Sequence, residues 1–216
     1  HDHNWGTQSE YRIPFVFSAN GRPYLRQLAT KSGIWFCDLR HPENRSQALD
    51  GWYSPDGLKN LLQVDESKAH QELANTAFNF GFPLRPYQQQ AILATEECIG
   101  QGQRDILLAM ATGTGKTKTC IALIYRFLKA KRFRRILFLV DRSALGVQAA
   151  NSFKGTRMER LQTFADIFGI KELDAQAPDN DTAVHIATVQ GMMRRVLFST
   201  EGAPPPTVDQ YDCVVI

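Results

Sequence analysis

The sequence is poor in the features that would set it apart from an ordinary folded, water-facing chain. It has four cysteines, Cys37, Cys98, Cys120 and Cys213, and no two of them are close. That scatter excludes a CxxC zinc or redox motif and argues against a disulfide framework. No apolar run approaches the ~20 residues that a membrane-spanning helix needs. The opening His1-Asp2-His3-Asn4-Trp5 lacks the apolar stretch of a secretory signal. There is no internal repeat and no low-complexity tract. The net charge is only +3 over 216 residues, which neither demands nor forbids nucleic acid as a partner. Together these absences predict a reduced, cytoplasmic protein.

What is present is the composition of a folded domain. Apolar residues make up 43% and charged residues 22%, so disorder is not the default. The length suits one large domain, or one domain with a smaller piece attached. Basic charge is concentrated in one place, where Lys129, Lys131, Arg132, Arg134 and Arg135 crowd seven positions. Either this is a solvated helix end, where cations suit the helix dipole, or it is part of a surface that tracks phosphates.

Three stretches differ in pattern. From about Tyr11 to Pro55 the chain reads as β-rich. Ile13–Phe17 is a short apolar strand, Asn20-Gly21 a tight turn, Tyr24–Leu28 a returning strand and Ile34–Cys37 a third. The polar run from His41 to Ser54 reads as loop. Between Ser54 and Phe80 the pattern is helical. Ser54 serves as N-cap and Pro55 as first helical residue, with Leu58, Leu61 and Leu62 at helical spacing. A second helix covers Glu66–Phe78, and Gly81-Phe82-Pro83 ends it. From Leu84 onward helices and strands alternate. Helices are expected over Pro86–Ile99, Lys116–Lys131, Val189–Phe198, and from Ser143 as cap to Phe153. Strands are expected at Asp105–Ala109, Arg135–Val140, Val184–Ala187 and Cys213–Ile216. That alternation implies an α/β fold, its parallel sheet covered by helices on both faces.

The chemistry centres on Thr112-Gly113-Thr114-Gly115-Lys116-Thr117, set between an expected strand and an expected helix. Glycines let the backbone turn tightly and bring amides close to an anion. The positive end of the following helix faces the same place. Lys116 would reach β- and γ-phosphates, Thr117 would hold Mg²⁺ through its hydroxyl, and Lys118 follows in the first turn. The usual pattern opens on glycine, and Met110 stands there instead. No Asn-Lys-x-Asp run exists to read guanine. Upstream, Arg85-Pro86-Tyr87-Gln88 offers a glutamine amide matched to one edge of adenine, with Tyr87 able to stack beside the base.

These residues resemble the first RecA-like domain of superfamily 2 helicases. Gln88 falls on that family's adenine-reading glutamine and Met110–Thr117 on its phosphate-loop motif. Leu139-Val140-Asp141-Arg142, with Leu145 and Gln148, resembles the next motif. Ala187-Thr188-Val189-Gln190 resembles the threonine-containing motif that touches the nucleic-acid backbone. Tyr211–Ile216 resembles the strand leading into the metal-holding acidic motif. A closer resemblance is to the restriction subunit of type I restriction-modification enzymes. It is carried by Met110–Thr117, Phe138–Arg142 and Phe17-Ser18-Ala19-Asn20-Gly21.

That resemblance implies an ATP-driven duplex-DNA translocase and endonuclease, working with methylation and specificity subunits. It divides the chain into the end of a nuclease domain (1–54), a helical connector (55–84) and a first motor domain (85–216). It also implies that the nuclease carboxylates precede His1 and that the acidic motif follows Ile216. The 216 residues alone are then expected to bind ATP weakly and to hydrolyse it negligibly. Arg142, Thr188 and Gln190 are the expected DNA-backbone contacts. The alternative for Arg142 is an ion pair with Asp141 or another neighbour, and for Thr188 a helix cap. His185 is expected to be packed, and His1 and His3 form at most a weak metal pair. The alternatives are a stand-alone helicase or repair translocase, a P-loop kinase or transferase, and a nucleotide-dependent switch module. DNA-stimulated ATP turnover separates the motors from the rest.

Overall fold

The computed structural model of the chain describes residues 13–40, 44–159, 162–172, 178–198 and 205–216. His1, His3 and Tyr11 lie outside the described residues. The chain divides into two compact units. One comprises the residues up to Gln63 together with Thr207–Gln210; the other runs from Val64 to Pro206 and resumes with Tyr211–Ile216.

The first unit holds β1 (Phe15–Ala19), β2 (Ile34–Asp38), β3 (Gln47–Leu49) and α1 (Pro55–Gln63). Its sheet is an antiparallel meander in the order β1-β2-β3. Two expectations fail here. Tyr24–Leu28 is not a strand; a 3₁₀ helix occupies Arg26–Lys31, and β2 pairs directly with β1 in the register Ala19↔Ile34. Pro23 cannot donate to a ladder, and the Leu25 amide goes instead to the buried Ser32 hydroxyl at 2.9 Å. The expected loop from 41 to 54 contains β3, while its residues 41–43 lie outside the described set.

Aromatic rings fill this small sheet's core. Phe36 stacks on Tyr53 at 4.8 Å between centroids and lies 5.0 Å from Phe17. Ser54 caps α1 as expected, its hydroxyl accepting from the Gly57 amide at 3.0 Å. Asp209 completes that cap. Its carboxylate accepts from the Ser54 hydroxyl at 2.5 Å and from the Ser54 amide at 3.3 Å. A negative charge there complements the positive end of the helix.

The second unit begins with α2 (Glu66–Asn75), α3 (Pro86–Gly100), α4 (Lys116–Lys129), β4 (Ile136–Val140) and α5 (Ser143–Gly155). It continues through β5 (Arg157–Glu159), β6 (Gln162–Thr163), α6 (Phe164–Ile167), β7 (Gly169–Lys171), β8 (Thr182–Thr188), α7 (Val189–Leu197) and β9 (Cys213–Val215). The main sheet is parallel with the order β7-β8-β4-β9. β4 is an uninterrupted apolar run and β8 is apolar apart from Thr182, His185 and Thr188, because helices cover the sheet. Ile136, Val184 and Ile186 are completely buried against Ile121, Ile124 and Phe127 of α4 and Phe153 of α5.

The stretch Asp105–Ala109, expected as a strand, makes no ladder. β9 ends the sheet with only three residues, and Leu107 is 91% exposed. An apolar run without a strand to pair with gains too little burial to offset the entropy of ordering it. A smaller correction concerns α5, whose N-cap is Arg142 and not Ser143.

The basic crowd at 129–135 does not form one surface. The Arg135 guanidinium is buried and donates to the carbonyls of Asp179 and Thr182 at 2.8 and 3.0 Å. Arg132 pairs with Glu66 at 3.5 Å, and Lys129 pairs with Glu159.

Candidate functional site: the phosphate loop and its helix

α4 starts where it does because Gly115 precedes it in the left-handed conformation, with φ 84°. Gly113 has φ 76°. Both values suit glycine and strain any other residue. A Cβ on Gly115 would also lie 2.5 Å from Gln88 Nε2. The first-turn amides of Lys116, Thr117 and Lys118 have no partner within the helix. Among the described residues no acceptor meets the amides of Gly113 or Gly115 either. Lys116 and Thr117 are exposed, and no carboxylate holds the Lys116 ammonium among the described residues. Lys118 leans 5.7 Å from the Phe82 ring centroid. The result is a loop of N–H donors without protein acceptors among the described residues at the positive end of α4, beside an exposed lysine that no carboxylate holds, a combination suited to polyphosphate.

The cradle is held from behind by the first turn of α3. Gln88 is buried, and its Nε2 donates to the carbonyls of Thr114 and Gly115 at 3.0 and 3.3 Å. Its Oε1 accepts from the Arg85 amide at 2.8 Å. The Tyr87 hydroxyl donates to the Thr114 carbonyl at 2.9 Å and accepts from Arg85 Nη1 at 3.2 Å. The Thr114 hydroxyl closes the loop on the Ala111 carbonyl at 2.7 Å. Thus Arg85, Tyr87, Gln88 and residues 112–118 meet in space, although about 25 residues separate the two groups in sequence. Sequence reading missed that the Gln88 amide hydrogens are already engaged by the loop backbone.

α4 is anchored at its other end by a buried ion pair. Arg126 on α4 donates to Glu96 on α3 through Nε at 2.5 Å and Nη2 at 2.9 Å. The same guanidinium caps the end of α2 through the carbonyls of Leu73 and Thr76 at 2.7 and 2.6 Å. It also lies 4.4 Å from the Phe78 ring centroid. No periodicity argument would have found it, because a charged residue reads as surface.

Arg142 and Thr188 both stand at the carboxyl edge of the sheet, since Val140 and Thr188 are partners in the β4–β8 register. Arg142 is exposed and 3.6 Å from Asp141. Thr188 is the N-cap of α7, its hydroxyl oxygen accepting from the Gly191 amide at 3.0 Å. Gln190 is exposed beside it. Thr188→Ala is expected to cost about 1 kcal/mol of stability by removing that cap, and Thr188→Asp to retain it. Denaturant titration of the two variants checks this, and equal losses would remove the cap from the account. His185 is buried, with Nδ1 2.6 Å from the Tyr211 hydroxyl.

Two thiols near these elements are kept neutral. Burial raises Cys120 in α4, against the lowering effect of Lys116. Burial, helped by Asp212 and opposed by Arg132, pushes Cys213 up to about 11. A thiol that ionises near 9.0 when unfolded and near 11 when folded favours the folded state fully below pH 9. That contribution is lost as the pH rises through the folded value. The melting temperature is therefore expected to fall more steeply between those two pH values than in Cys213→Ala, and parallel curves would contradict it.

A parallel sheet clothed in helices, with a glycine-bounded loop opening α4, defines a RecA-like P-loop fold. Residues 81–216 match the family model described as "Type III restriction enzyme, res subunit", and the chain belongs to that family. Residues 1–62 match a second model, described as the second domain of the type I restriction enzyme EcoKI endonuclease subunit. Over 209 residues the chain is 45% identical to the EcoKI endonuclease subunit of Escherichia coli strain K12, covering 97% of this chain and 18% of that protein. It is 35% identical over 147 residues to the EcoAI endonuclease subunit of Escherichia coli, covering 65% of this chain and 17% of that protein. UvrABC system protein B of Micrococcus luteus is 30% identical over 107 residues, 47% of this chain and 14% of that protein. The chain thus spans less than a fifth of the length of these relatives. Among the described residues no helix is long and apolar enough to cross a membrane.

Proposed function

We propose that this chain is the ATP-binding part of the endonuclease subunit of a cytoplasmic type I restriction enzyme, and that it drives translocation along duplex DNA. The observation that carries this reading is the run of amides at residues 113–118 that no protein acceptor meets among the described residues, at the start of a helix whose first residue is an exposed lysine. In this reading residues 85–216 form the first motor domain. The loop amides and Lys116 bind the β- and γ-phosphates. Gln88 Oε1 keeps one lone pair for the adenine amino group, because its other bond goes to the Arg85 amide.

The loop suits a magnesium–nucleotide complex on local grounds. The space above Gly113 is open, and Thr117 is exposed in the first turn of α4. Thr117 would hold Mg²⁺, which when bound neutralises charge on the transferring phosphoryl group. Arg142 and Gln190, with the hydroxyl hydrogen that Thr188 retains while capping α7, would meet the phosphates of duplex DNA. The methylation and specificity subunits would choose the site. The test is ATP turnover by the full-length subunit with and without duplex DNA. Stimulation supports the motor; indifference to DNA removes it in favour of a small-molecule kinase or switch.

A further inference from the structure

We propose that the Tyr87 hydroxyl is a positioning group for the phosphate loop, acting through the Thr114 carbonyl. The proposal rests on the reading of residues 112–117 as a triphosphate cradle and assigns a separate task to Tyr87 within it. In a trans peptide the C=O and N–H point in opposite directions, and the chain contains no cis peptide among its described residues. The peptide joining Thr114 to Gly115 therefore has two outlets. Its carbonyl faces α3, where it accepts from Tyr87 Oη at 2.9 Å and Gln88 Nε2 at 3.0 Å. Its N–H, the Gly115 amide, consequently faces away from α3 and meets no protein acceptor among the described residues. Fixing the carbonyl fixes the amide.

The next peptide repeats the device. The Gly115 carbonyl accepts from the Thr119 amide and hydroxyl at 3.1 and 3.2 Å, and from Gln88 Nε2 at 3.3 Å. This turns the Lys116 amide outward. Tyr87 is itself oriented by Arg85 Nη1, whose donation leaves the phenolic hydrogen for Thr114. The chain Arg85 to Tyr87 to Thr114 thus aims a donor before any anion arrives. This peptide is hinged on one side by the left-handed Gly115, whose backbone lacks the restraint of a Cβ, so an external clamp on its carbonyl has effect there. Base stacking by the Tyr87 ring would need only the ring. The clamp needs the hydroxyl.

Tyr87→Phe in the full-length subunit separates these roles. Dissociation constants for ATP and for ITP, which differs at the base, are measured by calorimetry on wild type, Tyr87→Phe and Lys116→Ala. Loss of one aimed hydrogen bond is expected to weaken both nucleotides by the same factor, about fivefold. The ATP/ITP ratio then stays unchanged. Unaltered affinity for both would overturn the proposal, because stacking survives in phenylalanine. So would a changed ATP/ITP ratio, which would place the hydroxyl on the base. Should Tyr87→Phe not fold, Arg85→Ala, which withdraws the donor that orients the hydroxyl, is read on the same scale. If Lys116→Ala binds ATP as wild type does, the cradle reading itself fails, whatever Tyr87 does.

Discussion

Replacing Lys116 with alanine in the full-length subunit is expected to lower DNA-stimulated ATP turnover by about 10²- to 10³-fold, the effect of removing one preorganised donor from a charged transition state. The reason is geometric. The Lys116 side chain begins at the first residue of α4, is exposed, and has no carboxylate partner among the described residues. An ammonium that no carboxylate holds among the described residues is available to a polyphosphate without first breaking an ion pair. It also sits where the helix dipole and the first-turn amides already favour negative charge. Arginine at this position keeps the charge but replaces a compact ammonium with a planar fork, so Lys116→Arg should recover only part of the loss. The steady-state rate at saturating DNA checks both substitutions. A Lys116→Ala enzyme that retains most of its turnover would sink the phosphate-cradle reading.

The second large effect is on stability. Arg126→Met strands the Glu96 carboxylate in the protein interior, where it is 5% exposed, and removes the guanidinium bonds to the Leu73 and Thr76 carbonyls, of which Leu73 keeps the Thr76 amide. Removing one partner of a buried pair costs about 3–5 kcal/mol. That corresponds to a fall on the order of 10 °C in melting temperature for a domain of this size. The double variant Arg126→Met with Glu96→Leu removes both charges and is expected to recover much of the loss. Recovery would show that the single variant's cost is the unpaired carboxylate. If both variants melt alike, the cost instead lies in the carbonyls at the end of α2.

The two effects meet in one helix. α4 carries the phosphate cradle at its first turn and the buried guanidinium in its last. With Arg126 tied to α2 and α3, the helix cannot slide along its axis without breaking bonds in the core. Adjustment to a ligand is left to the loop and its side chains.

Much of this was readable because the relevant physics is local. β4 announces itself as an unbroken apolar run, and Gly113, Gly115 and Lys116 sit at the spacing of a phosphate loop. The unread parts depend on partners distant in sequence. Arg126 and Arg135 look like surface cations, yet both are buried because carbonyls of other elements converge on them. The run from Arg157 to Lys171 holds β5, β6, α6 and β7, elements of two to four residues, too short to show a period. Its anchors are single residues, Met158 and Phe164, both fully buried. The opposite error, a strand at Asp105–Ala109, came from treating apolar character as proof of a neighbour. The role of Gln88 was half visible: its amide suggested a ligand contact, while its bonds to Thr114 and Gly115 required the fold.

The carboxylate that completes the cap of α1 has a consequence for how the polypeptide acquires its structure. Asp209 lies 155 residues beyond Ser54. At ribosomal rates of about 5–20 residues per second, the small aromatic-cored sheet emerges roughly 8–30 s before that aspartate is made. Until then the amino-terminal turn of α1 has only the serine to satisfy it, and closing so long a loop adds entropy that nearer contacts avoid. Of the two units, the one that starts earlier in this chain is therefore completed only after most of the other has been made.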